Sequence, residues 1–216
     1  MSLLSIQNVV KNYRNHQALK GVSFDVEAGR IFGLLGPNGA GKTSLIRIIT
    51  TITRADEGQV LFNGEPLNQD HPSQIAYLPE ERGLYKKMKV GEQLLYLARL
   101  KGMNAKDAKE KIIYWLKRFE MEDWIHKKIE ELSKGMQQKV QFVSTVLHDP
   151  KLLILDEPFS GLDPINTALI RDEIFNLHQR GATIIFSTHR MEQVEEFCQE
   201  IVLINNGEII LRGEVD

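Results

Sequence analysis

The stretch GPNGAGKT, residues 36–43, matches the spacing Gly-x-x-x-x-Gly-Lys-[Ser/Thr]. It follows the apolar run RIFGLL (30–35), which is typical of a strand buried on both faces. It leads into GKTSLIRIITTI (41–52), whose apolar residues have helical spacing. The glycines allow the backbone between strand and helix to curl, so that several N–H groups point inward. This strand–loop–helix unit predicts an α/β fold with an anion site at the end of the strand.

Such a loop is suited to the phosphate groups of a nucleotide, because the N-terminus of the following helix adds positive potential to the inward N–H groups. Lys42 can bridge the β- and γ-phosphates, and the Thr43 hydroxyl suits a Mg²⁺ ligand. The alternative is a glycine-rich turn without a ligand, which the flanking strand and helix disfavour. The residues expected to contact the nucleotide are Gly36, Pro37, Asn38, Gly39, Ala40, Gly41, Lys42, Thr43 and Ser44.

A second candidate site lies at the end of the apolar segment LLILDEP, residues 152–158. Neighbouring residues of a strand point to opposite sides, so Asp156 and Glu157 should have different roles. Asp156 is suited to the coordination shell of Mg²⁺, and Glu157 to polarising a water molecule for attack on the γ-phosphate. An Asp-Glu strand end alone could equally be solvated, but after a phosphate loop it favours catalysis.

The rest of the chain predicts an α/β core with a helical insertion. Strands over 4–13 and 20–26 precede the loop, and the second alternates apolar and polar residues as on a half-buried antiparallel sheet. Residues 90–148 carry three helical patterns and no convincing strand, after which strands and helices alternate again. The expected organisation is one domain (1–216), with a nucleotide-binding α/β core and antiparallel β subdomain (1–84 and 150–216) and a helical subdomain (85–149).

The bulk composition excludes several classes of protein. A net charge of −2 over 216 residues gives no broad electrostatic reason to bind nucleic acid, so none is expected. Cys198 is the only cysteine, so no intramolecular disulfide can form, which fits a reducing cytosol. We see no secretion signal, and no apolar run approaches the ~20 residues of a membrane span. A membrane role would therefore need a partner.

Three further motifs follow the phosphate loop: LSKGMQQKV (132–140), SGLDP (160–164) and STH (187–189). With the phosphate loop and the Asp-Glu strand end, this order closely resembles the nucleotide-binding cassettes of ABC ATPases. The resemblance extends over essentially the whole chain. It implies a P-loop NTPase core of ABC ATPase type with an N-terminal antiparallel β subdomain and an inserted α-helical subdomain. It also implies ATP and Mg²⁺ as cofactors and ATP hydrolysis as the activity.

The Ser133 motif is the most family-specific part of the resemblance. The family signature Leu-Ser-Gly-Gly-Gln matches at Leu132, Ser133 and Gly135, and this sequence departs from it at Lys134 and Met136. The resemblance implies a head-to-tail dimer, in which Ser133 and Gly135 of one subunit contact the ATP held by the other. Ser133 also suits a plain helix N-cap, so its hydroxyl alone does not identify the site.

Three more residues acquire roles through the resemblance, and each has an ordinary alternative. His189 matches the switch histidine that contacts the γ-phosphate, or is simply a strand-end histidine. Asp163 matches the D-loop aspartate at the dimer contact, and with Pro164 it is also a good helix start. Tyr13 matches the aromatic residue that stacks on adenine, or packs on the core. The residues assigned to catalysis are Lys42, Glu157 and His189.

The segment YLPEERGLY, residues 77–85, corresponds to the family's Q-loop, whose glutamine contacts Mg²⁺ and the attacking water. Counting back five positions from Tyr85, as the family's spacing suggests, the glutamine position is Glu80. A carboxylate oxygen can ligate Mg²⁺, so Glu80 joins Thr43 and Asp156 as a candidate metal residue. The alternative is a solvated turn. Glu81 and Arg82 are expected to face solvent or a membrane permease.

The resemblance implies an ATP-hydrolysing subunit that drives a separate transmembrane permease from the cytoplasmic face of the membrane. PEERGLY and LSKGMQQK look most like ATPases of the ABC-2 exporter type, including those linked to sodium efflux and drug resistance. The partner cassette would be a second copy or a related chain. The alternative is a soluble, non-transport ABC ATPase acting as an assembly or mechanical module. A kinase or GTPase is disfavoured by the Ser133 motif and by the absence of Asn-Lys-x-Asp. Many members of the family continue with a C-terminal extension.

Overall fold

The computed structural model describes residues 2–81 and 83–215, which form two β-sheets with helices packed around them. A six-stranded sheet has the order β10-β9-β3-β8-β7-β6, and a four-stranded sheet has the order β2-β1-β4-β5. The strands are β1 (Ser2–Tyr13), β2 (His16–Glu27), β3 (Ile31–Leu35), β4 (Glu57–Phe62), β5 (Glu65–Pro66), β6 (Ile75–Leu78), β7 (Leu152–Asp156), β8 (Thr183–Thr188), β9 (Glu200–Asn205) and β10 (Glu208–Glu214). The helices are α1 (Lys42–Ile49), α2 (Val90–Leu100), α3 (Ala105–Arg118), α4 (Lys134–Val146), α5 (Pro164–Gln179) and α6 (Met191–Phe197).

The central strands of the larger sheet are buried because their sequences are almost entirely apolar. Every residue of β3, β7 and β8 is buried, and β8 pairs in parallel with both of the others. Successive residues of β3 point to opposite faces of the sheet. The described residues form two hydrophobic clusters. Ile31 and Leu35 belong to the larger cluster, and Phe32 and Leu34 belong to the smaller one. The α/β core expected from the apolar runs is confirmed.

The smaller sheet is antiparallel and packs its apolar side on α1. In β2, Val22, Phe24 and Val26 are buried between exposed neighbours, as the alternating sequence predicts. These three residues belong to the smaller hydrophobic cluster, which also contains Leu45 and Ile49 of α1. The expected antiparallel subdomain therefore holds the helix that follows the phosphate loop.

Between β6 and β7 the chain forms three helices, α2 to α4. Helix α3 begins at an N-cap, Asn104, whose side chain accepts hydrogen bonds from the backbone N–H groups of Lys106 and Asp107. Within the described part of this segment, the only extended pairing is an isolated bridge between Lys89 and Lys128. The described residues also contain three short 3₁₀ helices, 71–73 before β6 and 122–124 and 129–131 before α4. They were not predicted, because each is shorter than one helical period of the apolar pattern.

Polar contacts connect this helical segment to the neighbourhood of β6 and to α5. The Lys101 ammonium, just after α2, donates to the carbonyl oxygens of Pro72 (2.6 Å) and Ile75 (2.9 Å). Arg118, at the end of α3, donates to the buried carboxylate of Glu173 on α5. Burial lowers the pKa of Lys101, so the two carbonyl oxygens compensate a partly desolvated charge.

None of the helices in residues 2–81 and 83–215 is long and apolar enough to cross a membrane.

His148, between α4 and β7, predicts a pH-dependent stability. Both ring nitrogens are buried without a hydrogen-bond partner among the described residues. Burial, reinforced by the charges of Lys101 and Lys111, lowers the pKa of His148 to about 4. The unfolded chain therefore binds more protons between that value and the ordinary pKa of ~6.5, and stability falls as the pH is lowered through this window. The loss should reach about 2 kcal/mol between pH 7 and pH 5.

Urea unfolding of the parent and His148→Leu at the two pH values checks this. Removing the imidazole should shrink the pH dependence by that amount. An equal slope in both proteins would contradict the assignment of the titrating group.

Candidate nucleotide-binding site

Four neighbouring parallel strands bring the expected functional groups to one edge of the larger sheet. Strand β3 leads into the phosphate loop, β8 into His189, β7 into Asp156 and Glu157, and β6 into Glu80. Ligands of open α/β sheets bind outside the carboxyl ends of the strands. The sheet order therefore collects residues that are far apart in the sequence.

The phosphate loop holds the ammonium group of Lys42 inside it. Lys42 Nζ donates to the carbonyl oxygens of Gly36 (2.6 Å) and Pro37 (3.2 Å). Burial lowers the pKa of Lys42, and the charges of nearby carboxylates oppose that shift. A desolvated cation in this position is stabilised by any anion that enters the loop.

Gly41 forms the turn from the loop into α1. Its φ is +113°, and a methyl carbon added there would lie 2.5 Å from the carbonyl oxygen of Ala18 on β2. Gly39 also has a positive φ, +81°, but a methyl carbon added there would meet no atom within 4 Å. Both positions favour glycine because of their backbone conformation. At Gly41 there is also no space for a side chain.

Asp156, at the end of β7, is buried between two hydroxyl groups. Its Oδ1 accepts a hydrogen bond from Ser187 Oγ (2.7 Å), and its Oδ2 accepts one from the Tyr77 hydroxyl (3.2 Å). Burial raises the pKa of Asp156 even though both hydrogen bonds act to lower it. The carboxylate is thus oriented but incompletely compensated, as a group that gains a cation would be.

Glu157 has a different set of partners from Asp156. Its Oε1 accepts a hydrogen bond from the backbone N–H of His189 (2.9 Å) and lies 2.6 Å from the ring nitrogen Nδ1 of His189. Its Oε2 accepts a hydrogen bond from the Thr188 hydroxyl (3.3 Å). The φ of Glu157 is +48°, which is uncommon for a non-glycine residue and lies outside the extended range of the strand β7 that precedes it. The two acids therefore occupy separate hydrogen-bond networks.

A cleft joins the phosphate loop to the histidine. Its volume is about 410 Å³, and its lining includes Gly36, Pro37 and Asn38 on one side and Thr188 and His189 on the other. His189, which contacts Glu157, therefore borders the same space as the phosphate loop.

The Ser133 motif and the Asp163 loop contact each other. Ser133 caps α4, and its Oγ accepts a hydrogen bond from the Met136 N–H (3.2 Å). Asp163 caps α5 and accepts a hydrogen bond from the Asn166 N–H (3.0 Å). A methyl carbon added to Gly135 would lie 3.0 Å from Asn166 Nδ2. Both N-cap roles allowed by the sequence are present, and the hydroxyl hydrogen of Ser133 remains free to donate to a further acceptor.

The two departures from the signature have different surroundings. Lys134 is exposed, and Met136 is partly buried and packs against the larger hydrophobic cluster. The methionine therefore contributes apolar packing at the first turn of α4.

Tyr13 lies at the end of β1 with 40% of its surface exposed, so packing in the core does not explain it. The Lys11 ammonium lies 5.5 Å from the centroid of the Tyr13 ring.

In the Q-loop, Glu80 and Glu81 are exposed. Arg82 lies outside the described residues.

Comparisons with known proteins agree with this geometry. The family model described as ABC transporter matches residues 19–160. The chain belongs to the ABC transporter family. The ABC transporter ATP-binding protein YhaQ of Bacillus subtilis is 48% identical over 213 residues, which are 99% of this chain and 72% of YhaQ. NatA of the same organism is 35% identical over 206 residues, covering 93% of this chain and 83% of NatA. A solved structure described as an ATP binding subunit of an ABC transporter has 31% identity and a TM-score of 0.92, covering 100% of this chain and 91% of its own.

Membership of this family confirms that the chain is an ABC transporter ATP-binding subunit that binds and hydrolyses ATP. The similarity to NatA fits the subgroup expected from the Q-loop and signature sequences.

The cassette's oxygen donors fit Mg²⁺. Among the described residues, no group of three or more His, Cys, Asp or Glu side chains is arranged to hold a metal. Mg²⁺ does not need such a cage, since it uses one or two protein oxygens together with substrate phosphates and water. The exposed Thr43 at the start of α1 and the incompletely compensated Asp156 are suited to that mode of binding.

The candidate site also contains residues that the sequence did not single out. Tyr77 and Ser187 orient Asp156, and Thr188 contacts Glu157. Tyr77 is the one polar residue in the segment IAYL, which was a usable signal. Its hydroxyl reaches a carboxylate 79 positions away in the chain, and this partner follows only from the sheet order.

The geometry of Gly41 predicts a difference between two alanine substitutions. Gly41→Ala adds steric overlap with the Ala18 carbonyl to a positive-φ penalty and should cost about 3 kcal/mol in the free energy of unfolding. Gly39→Ala carries only the backbone penalty and should cost about 1 kcal/mol. Urea unfolding without nucleotide measures both. Equal losses would show that the contact with Ala18 is relieved by a local shift.

Proposed function

We propose that this cassette dimerises head to tail around two Mg-ATP and drives a separate membrane permease as an exporter. The observation that supports this best is the grouping of the phosphate loop, Asp156 and the Glu157–His189 pair at one sheet edge. The described residues that line the cleft do not include Ser133 or Gly135. A second subunit that presents its own Ser133 and Gly135 would therefore complete the contacts to the γ-phosphate.

In the proposed reaction Glu157 is the general base. It accepts a proton from water as the water oxygen attacks the γ-phosphorus, and the bridging oxygen leaves with the electron pair of the broken bond. His189, 2.6 Å away, orients this carboxylate and can offer its other ring nitrogen to the γ-phosphate. Lys42 neutralises charge on the leaving phosphates. When bound, Mg²⁺ would add further neutralisation, held by Thr43 and Asp156.

The permease and the direction of transport are proposed from relatives and from the sequence subgroup. YhaQ and NatA are both described as ABC transporter ATP-binding proteins. The cassette would lie on the cytoplasmic face of the membrane, paired with a second copy or a related cassette. No contact with nucleic acid is proposed. The competing function is a soluble ABC ATPase that acts as an assembly or mechanical module. Co-purification with a multi-spanning membrane protein supports the permease, whereas a cassette that recovers only soluble partners supports the alternative.

Glu157→Gln tests the catalytic assignment. The amide cannot accept the proton of the attacking water, so kcat should fall at least ~100-fold while ATP still binds. Because the closed dimer reopens only after hydrolysis, this variant should accumulate as a dimer with ATP. Steady-state turnover and light scattering measure the two effects.

The matched control for Glu157→Gln is Lys42→Ala, which should lose nucleotide binding and stay monomeric with ATP. Near-normal turnover of Glu157→Gln would remove the general-base role. Unchanged nucleotide affinity of Lys42→Ala would remove the phosphate-loop role.

Glu80→Gln tests the proposed metal role of the exposed Q-loop acid. The charge of Glu80 acts on Lys42, so its carboxylate lies within electrostatic range of the phosphate loop. Removing it should retain substantial activity, raise the Mg²⁺ concentration for half-maximal activity about five-fold, and strengthen ATP binding in EDTA. Identical Mg²⁺ titrations of parent and variant would return Glu80 to the solvated-turn interpretation.

A further inference from the structure

A buried glutamine on α4 contacts the loop that carries Glu80. Gln141 is only 4% exposed. Its Nε2 lies 3.3 Å from the carbonyl oxygens of both Pro79 and Glu81, the residues on either side of Glu80. The signature helix and the Q-loop backbone are therefore joined at the position where the candidate metal residue lies.

The chemistry of an amide group accounts for this pairing. A glutamine nitrogen carries two hydrogens and can serve two acceptors, whereas its oxygen can only accept. Since both partners are carbonyl oxygens, the nitrogen must face the loop. We infer that Gln141 is a positioning residue, which holds Glu80 at a fixed place relative to Lys42 and the Mg²⁺-binding groups. This inference rests on the metal role proposed above for Glu80.

Packing alone does not explain a glutamine at this position. Gln141 Oε1 is buried and has no hydrogen-bond partner among the described residues, which is unfavourable for a polar atom. An apolar side chain of similar size would fill the space without that penalty. The two hydrogen bonds to the loop are what only the amide supplies.

The position of Gln141 also links two parts of the proposed site. Ser133 caps the N-terminus of α4, and Gln141 lies on the same helix about 12 Å further along its axis. A rigid helix moves as a unit, so a displacement of Ser133 shifts the carbonyl oxygens on both sides of Glu80. ATP bound by the partner subunit would thereby influence the metal-binding groups of this one.

Gln93 supplies a matched control. It is a fully buried glutamine on α2, and its Oε1 accepts a hydrogen bond from the Tyr85 N–H (3.0 Å) at the far end of the same loop. Its Nε2 is buried without a partner among the described residues. Gln93→Met and Gln141→Met therefore remove the same chemical group from similar surroundings, and only the second releases the backbone beside Glu80.

The experiment measures two quantities in both variants: the Mg²⁺ concentration for half-maximal ATPase activity, and the ratio of ATP affinities with Mg²⁺ and with EDTA. Gln141→Met should raise the half-maximal Mg²⁺ concentration about five-fold and lower the ratio of ATP affinities by a similar factor, as expected for two lost hydrogen bonds. Gln93→Met should keep the parental values at a comparable loss of melting temperature. If Gln141→Met folds poorly, Gln141→Glu provides a second test. It places an acceptor against the two carbonyl oxygens and should change both quantities in the same direction.

A double variant separates this inference from the proposed metal role of Glu80. In a Glu80→Ala background, Gln141→Met should cause no further shift in the Mg²⁺ response. If Glu80→Ala responds to Mg²⁺ like the parent, the metal role fails. If Glu80→Ala shifts the response but Gln141→Met does not, only the positioning role fails. Equal shifts in Gln141→Met and Gln93→Met would overturn the specific role of Gln141 in favour of general loosening of the loop.

Discussion

The position of β8 between β3 and β7 is the constraint on which the site depends. Parallel pairing fixes the register, so Leu35 lies opposite Thr188 and Asp156 lies opposite Ser187. The phosphate loop, the histidine turn and the carboxylate pair must then leave the sheet side by side. If β7 were the neighbour of β3, His189 could not stand between the phosphate loop and Glu157. Strand order thus determines which chemistry is possible before any side chain is placed.

Burial then gives the site its electrostatic character. Desolvation lowers the pKa of Lys42 and raises the pKa of Asp156, so both groups are less stable in their charged forms than in water. Carbonyl oxygens and hydroxyl groups compensate them only in part. A ligand that combines an anion with a cation relieves both deficits at once. A magnesium nucleotide has that combination, and a free phosphate or a free metal ion has only half of it.

Local sequence was sufficient for those elements whose pattern lies within a few residues. The buried strands and the glycine-rich turn into α1 both follow from short motifs. Contacts between distant segments could not be predicted in this way. Tyr77 with Asp156 and Gln141 with the Q-loop depend on how the strands and helices are assembled. Gln141 is difficult to find from sequence because a glutamine on a helix is ordinarily exposed.

The Ser133 motif shows how two departures from a family signature can coexist with its geometry. A methyl carbon at Gly135 would press on the side chain of Asn166, and Ser133 caps α4. Lys134 points to solvent and Met136 packs on the hydrophobic cluster, where an apolar side chain adds buried surface. The departures therefore fall on the two positions whose side chains have no part in the N-cap or in the contact with Asn166.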